Sequence, residues 1–304
     1  MGRAFYGSHM RISVVGSGKL GTSLSKVWHD LGTLKITDVV NQSFDSSRLA
    51  VQRIGAGNPL GSILDIRCSD LIMIATSDSI IRASAEELAS NTNIKEGTII
   101  FHCSGALSSL ELESLKSKGM FVCSAHPVKS FSSEIESLKN ISGTSVALEG
   151  DVEALQVVRR IFKAIGGIPF EISVESKTLY HAAISIVSNF LPPLLEAGFI
   201  ILKQIGIADT QAKDLVEPLV RGTIDNIFKV GTVEALTGPI SRGDYKVVES
   251  HLCAMKTLNL RSAEQLCELY SVLGRAALEL VRQKGIVENS KLNMLSSKLN
   301  YSNP

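Results

Sequence analysis

Residues 11–15 form a short, β-rich apolar run that ends in Gly16-Ser17-Gly18-Lys19-Leu20-Gly21. Ser25, Val27, Trp28 and Leu31 follow at helical spacing. No other stretch constrains the fold as much as this succession of strand, G-x-G-x-x-G turn and helix. The first glycine permits the tight turn, the second lets a pyrophosphate approach the backbone, and the third lets the helix pack on the strand. Free N–H groups at the helix start then favour an anion. A dinucleotide is therefore expected on Gly16, Ser17, Gly18, Lys19, Leu20 and Gly21.

Strand and helix patterns alternate after this motif. Strands are expected at 11–15, 35–40, 71–75, 98–102, 120–124 and 144–148, with a short last strand at 169–172. Helices are expected at 19–31, 46–54, 79–89, 109–118 and 152–165. The alternation predicts an α/β architecture, a doubly wound, mostly parallel Rossmann sheet. From Val174 onward only helical periods remain, at 175–205 (kinked at Pro192-Pro193), 209–229 (N-capped by Asp209), 245–256 and 261–284. Residues 10–173 are thus expected to form the nucleotide-binding domain, and 174–304 an all-helical domain for substrate and dimerisation. Residues 1–9 resemble a cleaved-tag scar and are set aside.

The net charge of +1 comes without any basic or acidic block, so neither nucleic acid nor a membrane surface is an expected partner. No charge-free apolar run of bilayer-spanning length is expected. The five cysteines, Cys68, Cys103, Cys123, Cys253 and Cys267, contain no C-x-x-C, which predicts a reduced cytoplasmic protein without a structural metal. The helical domain is expected to form a homodimer.

At the end of the second strand a carboxylate would bind the ribose 2′-hydroxyl of NAD. Asp38 is near that position but reads as lying inside the strand. The strand end is Asn41-Gln42-Ser43, uncharged, with Arg48 close by, and this suits the 2′-phosphate of NADP(H) better. Thr76-Ser77 follows a later strand and is expected on the cofactor, although Ser77 and Asp78 read equally well as a helix N-cap.

Ligands bind beyond the carboxyl ends of such strands. Ser104 beside Gly105 is a substrate candidate there, since glycine permits close approach. His126 before Pro127 is either a ligand or a buried, hydrogen-bonded loop histidine. Cys103 reads as a small buried filler. On the first helix of the second half, Lys177, His181 and Ser188 fall within a ~40° arc at ~100° per residue, with Asn189 at its edge. Lys177 and His181 on an otherwise apolar helix are costly to bury without purpose. They suit stabilisation and protonation of a developing alkoxide, while Lys177 could instead snorkel to solvent. In Thr237-Gly238-Pro239 and Ser241-Arg242-Gly243-Asp244, Arg242 could clamp either a carboxylate or the cofactor phosphates, and Asp244 reads at least partly as an N-cap.

Together, H-x-S-G (102–105), H-P-x-x-S-F (126–131), K-x-x-Y-H-A-A (177–183) with Ser188-Asn189, and L-T-G-P-x-x-R-G-D (236–244) with His251-Leu252 resemble one group of proteins. It is the Rossmann-like group related to the 6-phosphogluconate-dehydrogenase and pyrroline-5-carboxylate-reductase superfamily, which includes the PanG-type, alternative ketopantoate reductases. The resemblance implies NADPH-dependent reduction of 2-dehydropantoate to (R)-pantoate. It implies catalytic roles for Lys177, His181, Asn189 and Asp244, and substrate contacts from Ser104, Gly105, His126, Ser188 and Arg242. Better-known ketopantoate reductases carry Asn where this chain has His181. Two alternatives stay open: a reductase of another small keto acid or imine, such as a pyrroline carboxylate, and a non-enzymatic NADP-binding sensor.

Overall fold

The computed structural model describes residues 10–129, 141–260 and 262–300. The expected tag and the last two residues of the H-P-x-x-S-F motif, Ser130 and Phe131, lie outside them. The chain divides into two compact units, residues 1–187 and 188–304. The change in character at Ser173 therefore falls inside the first unit.

In the first unit one eight-stranded sheet runs in the order β3-β2-β1-β4-β5-β6-β7-β8. The strands are β1 (Arg11–Val15), β2 (Lys35–Val40), β3 (Asn58–Leu60), β4 (Leu71–Ile74), β5 (Ile99–His102), β6 (Phe121–Pro127), β7 (Ser145–Gly150) and β8 (Ile168–Glu171). All neighbours pair in parallel except β6 with β7. The strand order reverses between β1 and β4, and the crevice beyond their carboxyl ends is where such a sheet takes its ligand.

β4 and β5 are buried along their whole length, so their sequences LIMI and IIFH run apolar without alternation. Helices cover both faces. On one, Trp28 is fully buried among Leu24, Phe101 and Phe162. It meets Phe162 edge-on at 5.5 Å and donates its indole N–H to the Ile161 carbonyl at 3.1 Å. On the other, Ile81, Leu88, Leu112 and Leu115 close over Ile72, Ile74 and Ile100.

Several expected elements take a different form. β3 contains Pro59, whose missing N–H hid the strand; it pairs only with β2 at the sheet edge, where proline is tolerated. β6 runs on to Pro127 because its antiparallel pairing with β7 extends past its parallel register with β5. His126 is consequently a strand residue and not a loop residue. The helix from 175 begins as Lys177–Ile184, opens into a π-turn at Ser185–Asn189, and resumes as Leu191–Gln204. Pro192 and Pro193 do not kink a continuous helix: they sit in the first turn of the new one, where a missing N–H costs nothing. A π-turn also breaks the 3.6-residue phase, so the arc that placed Ser188 with Lys177 does not hold. Asp209 is the first residue of Asp209–Val230, and Ala208 takes the cap position.

In the second unit, Tyr245–Lys256, Ala263–Lys284 and Asn289–Leu299 pack around Val248, Cys267, Leu278, Leu295 and Leu299. Residues 177–204 are long and apolar enough to cross a membrane by length and composition, contrary to expectation. Polar Ser, Asn and His interrupt this run without breaking its average hydropathy. Leu179, Ile186, Val187 and Phe190 on it are exposed, as are Leu215, Leu219 and Phe228 on Asp209–Val230.

Candidate active site

The glycine turn is built as the motif requires. Gly16 has φ +84° and donates its N–H to the Val40 carbonyl at 2.8 Å. A Cβ on Gly21 would lie 2.3 Å from the Gly16 carbonyl oxygen, whereas one on Gly18 would meet nothing within 4 Å. Gly18 caps the helix Lys19–Asp30, and beside it opens a cleft of about 520 Å³ reaching Gln42, Thr76 and Ser77. The hydroxyl of Ser17 is buried without a hydrogen-bond partner. An open glycine, an unpartnered hydroxyl and a helix start together fit a dinucleotide pyrophosphate.

Other expected cofactor residues turn out to shape the cleft. Asn41 accepts from the Ser17 N–H at 2.6 Å and donates to the Ser46 carbonyl at 3.0 Å, so its amide holds the glycine turn. Ser43 caps the helix Phe44–Ile54 in a reciprocal capping box with Ser46. Leu20 packs on the core. Ser77 occupies an N-cap position, yet its side chain makes no capping hydrogen bond. Asp38 is fully buried within β2 and is held by Arg67, whose backbone N–H and guanidinium both donate to it. Its carboxylate is therefore committed to Arg67. Arg48 is exposed and pairs with Asp45.

Beyond β5 and β6 a second constellation forms. Lys177, from the helix Lys177–Ile184, is only 1% exposed, which rules out snorkelling. Its Nζ donates to the Ser124 Oγ on β6 at 2.6 Å. Burial lowers its pKa, and the nearby Glu149 opposes that shift most. Ser104 Oγ accepts from the N–H groups of Ala106 and Leu107, closing the turn after β5. His102 Nδ1 accepts from the Ser104 N–H at 3.2 Å, so its Nε2–H must donate to the Ser108 carbonyl at 3.0 Å. That fixes a neutral tautomer, and burial lowers the His102 pKa to about 4.

Gly105 lies between two imidazoles. A Cβ there would come within 2.7 Å of His181 and 2.8 Å of His126. The two rings stand edge-on, 6.2 Å apart. His126 Nδ1 shares a 2.9 Å hydrogen bond with the Tyr180 hydroxyl. Burial, with Lys177 and His181 adding to it, lowers the His126 pKa to about 4. The Cys103 thiol is pushed up to about 12 by burial, in keeping with a filler. Lys177, His181, Ser104, Gly105 and His126 are thus brought together in the first unit.

Ser188, Asn189, Arg242 and Asp244 belong to the second unit. Ser188 and Asn189 are exposed on the π-turn. Asp244 accepts from the Val247 N–H at 3.2 Å as the cap of Tyr245–Lys256, and Arg242 ends the turn Gly238–Ser241. His251 pairs with Tyr270 at 2.9 Å.

Ser124, Glu149, Tyr180 and His102 carry structural roles that sequence reading left unassigned. His102 and Tyr180 lie inside motifs already singled out. Glu149 lies just past the strand expected at 144–148, and its position follows only from the antiparallel β6–β7 pairing.

Because His102 is neutral when folded and takes a proton near pH 6.5 when unfolded, acid destabilises the fold. The unfolded chain binds the extra proton below pH 6.5 and the folded one only near pH 4. His102 is therefore expected to remove about 3 kcal/mol of stability between those pH values. Urea unfolding at stepped pH checks this, with His102→Gln expected to flatten that part of the profile.

Comparison with known proteins agrees with this architecture. A Rossmann-like domain family matches residues 4–127, and the domain of unknown function DUF2520 matches residues 144–277. A search of curated proteins returned no match. Protein TM1727 from Thermotoga maritima is 26% identical, with a TM-score of 0.70 over 90% of this chain and 99% of that one. BF3122 from Bacteroides fragilis, provisionally named an NADP oxidoreductase, is 19% identical, with a TM-score of 0.72 over 90% and 99%. The 1-pyrroline-5-carboxylate reductase of Streptococcus pyogenes is 14% identical, with a TM-score of 0.57 over 95% and 99%. The chain shares the fold of these proteins: a Rossmann-like sheet followed by a helical region.

Proposed function

We propose that this chain is an NADP(H)-dependent reductase of a small 2-oxo acid, with ketopantoate as substrate and (R)-pantoate as product. The observation that carries the reading is the buried Lys177 amino group on Ser124, beside the two imidazoles at Gly105. Reducing a ketone builds negative charge on oxygen, and a desolvated cation stabilises it strongly. Reducing an imine starts from an iminium cation, which the same lysine would repel, so a 2-oxo acid is favoured over a pyrroline carboxylate. A protein that only senses the cofactor has no use for a buried cation.

The bound nicotinamide would supply the hydride. Gly16, Gly18 and Ser17 hold the phosphates. Thr76 and Ser77 border the same cleft. Lys177 is sealed from solvent, so it acts through its charge and through Ser124. The half-buried His181 supplies the proton to the substrate oxygen, and His126, neutral near pH 7, offers one N–H hydrogen bond. NADP(H) is preferred because Asp38 is committed to Arg67 and the strand end leaves the uncharged Gln42 at the cleft.

Initial rates on a panel of ketopantoate, other branched 2-oxo acids and pyrroline-5-carboxylate, each with NADPH and NADH, test this reading. Ketopantoate with NADPH should give the highest kcat/KM. A preference for the imine would overturn the assignment. We also propose that a second copy covers the apolar faces around Phe190 and Phe228, giving a homodimer with twice the chain mass in light scattering.

A further inference from the structure

A buried ammonium needs a counter-charge, and none of the recognised motifs supplies one. The structure does, through Glu149. This residue is 1% exposed on β7. Its two carboxylate oxygens accept from the Ser109 N–H at 2.9 Å and the Ser109 hydroxyl at 2.7 Å. Glu149 lies directly opposite Ser124 in the antiparallel β6–β7 pair. Directly opposed residues project from the same sheet face with Cβ atoms about 5 Å apart. The carboxylate therefore shares a face with the hydroxyl that receives the Lys177 Nζ. The links close a ring. Ser124 donates to the Ser104 carbonyl at 3.4 Å, His102 bridges Ser104 to Ser108, and Ser109 returns to Glu149.

We propose that Glu149 is the positioning residue that keeps Lys177 charged inside the first unit, and that its Ser109 clamp ties this charge to the turn carrying Ser104 and Gly105. Among the described residues, a second anion is not at hand in the same way. The other groups acting on Lys177 are the Cys103 and Cys123 thiols, Asp78 at the start of Asp78–Ala89, and the imidazoles of His102 and His126. Burial keeps both thiols protonated and both imidazoles neutral near pH 7. Asp78 heads its helix as an exposed residue. Two buried charges of opposite sign are tolerated together and costly apart.

Glu149→Gln tests this, with Glu149→Asp as the conservative rescue. NMR titration of the lysine side-chain signal that disappears in Lys177→Met follows the charge directly. In Glu149→Gln, Lys177 should lose its proton at least about one pH unit lower than in the parent protein. Glu149→Asp should stay near the parent value. The Tm losses of Glu149→Gln and Lys177→Met should sum to more than the loss of the double variant. If Glu149→Gln does not fold, the double variant should fold again. Unchanged lysine titration, additive Tm losses, or a double variant that also fails to fold would overturn the proposal. The kinetic arm alone rests on the reductase reading: the alkaline limb of the kcat profile should move to lower pH in Glu149→Gln. Absence of turnover in the parent protein would count against that reading and leave the titration and stability results to decide the role of Glu149.

Discussion

Lys177→Met is expected to lower kcat by about 10²- to 10³-fold while NADPH affinity stays within about twofold. Methionine keeps the approximate volume of the side chain, so the loss reports charge and not a cavity. Lys177 does not border the cleft at Gly16 and Gly18, which separates the two readouts. Stopped-flow turnover and fluorescence titration with NADPH measure them. Turnover near the parent value would remove Lys177 from the chemistry. A parallel loss of NADPH binding would mean that the substitution had disturbed the fold instead.

The second large effect separates two glycines of one motif. Gly21→Ala places a Cβ 2.3 Å from the backbone oxygen of Gly16, and neither partner is a flexible side-chain end. The helix must move off β1, and a loss of about 3 kcal/mol or more is expected. Gly18→Ala meets no protein atom within 4 Å, and its φ of −69° suits any residue. Its stability should hold or rise by about 0.4–1 kcal/mol through the unfolded chain. Yet the new methyl enters the space a pyrophosphate must approach, so the NADPH Kd should rise at least about tenfold. Thermal unfolding with and without NADPH distinguishes them: Gly18→Ala should unfold at the parent temperature alone and gain little from NADPH. An unchanged NADPH Kd in Gly18→Ala would place the phosphates elsewhere.

Much of this was legible in the residues because the forces involved are local. The glycine turn, β1, β2 and the fully buried β4 and β5 follow from chain geometry and from apolar runs covered on both faces. Lys177 and His181 were visible as polar residues on an apolar helix. Their different destinations were not: Lys177 goes inward to Ser124, and His181 goes to Gly105. What escaped depends on contacts distant in the chain. The partner of Asp38 is Arg67, 29 residues on, and the role of Glu149 follows from an antiparallel pairing that no local pattern announces. The π-turn at Ser185–Asn189 shifted the phase on which Ser188 was placed. The helix Asn289–Leu299 was missed although Leu292, Leu295 and Leu299 stand at helical spacing and are buried, because Asn, Ser and Lys fill the positions between.

The most direct test follows the hydride. NADPH deuterated on either face of the nicotinamide C4 would be incubated with the protein and ketopantoate, and the product analysed by mass spectrometry. The account predicts pantoate one mass unit heavier with one of the two deuterated forms, its deuterium on the former ketone carbon, and none of this with Lys177→Met over the same time. Protein that binds NADPH tightly yet gives no labelled pantoate from either form would contradict it.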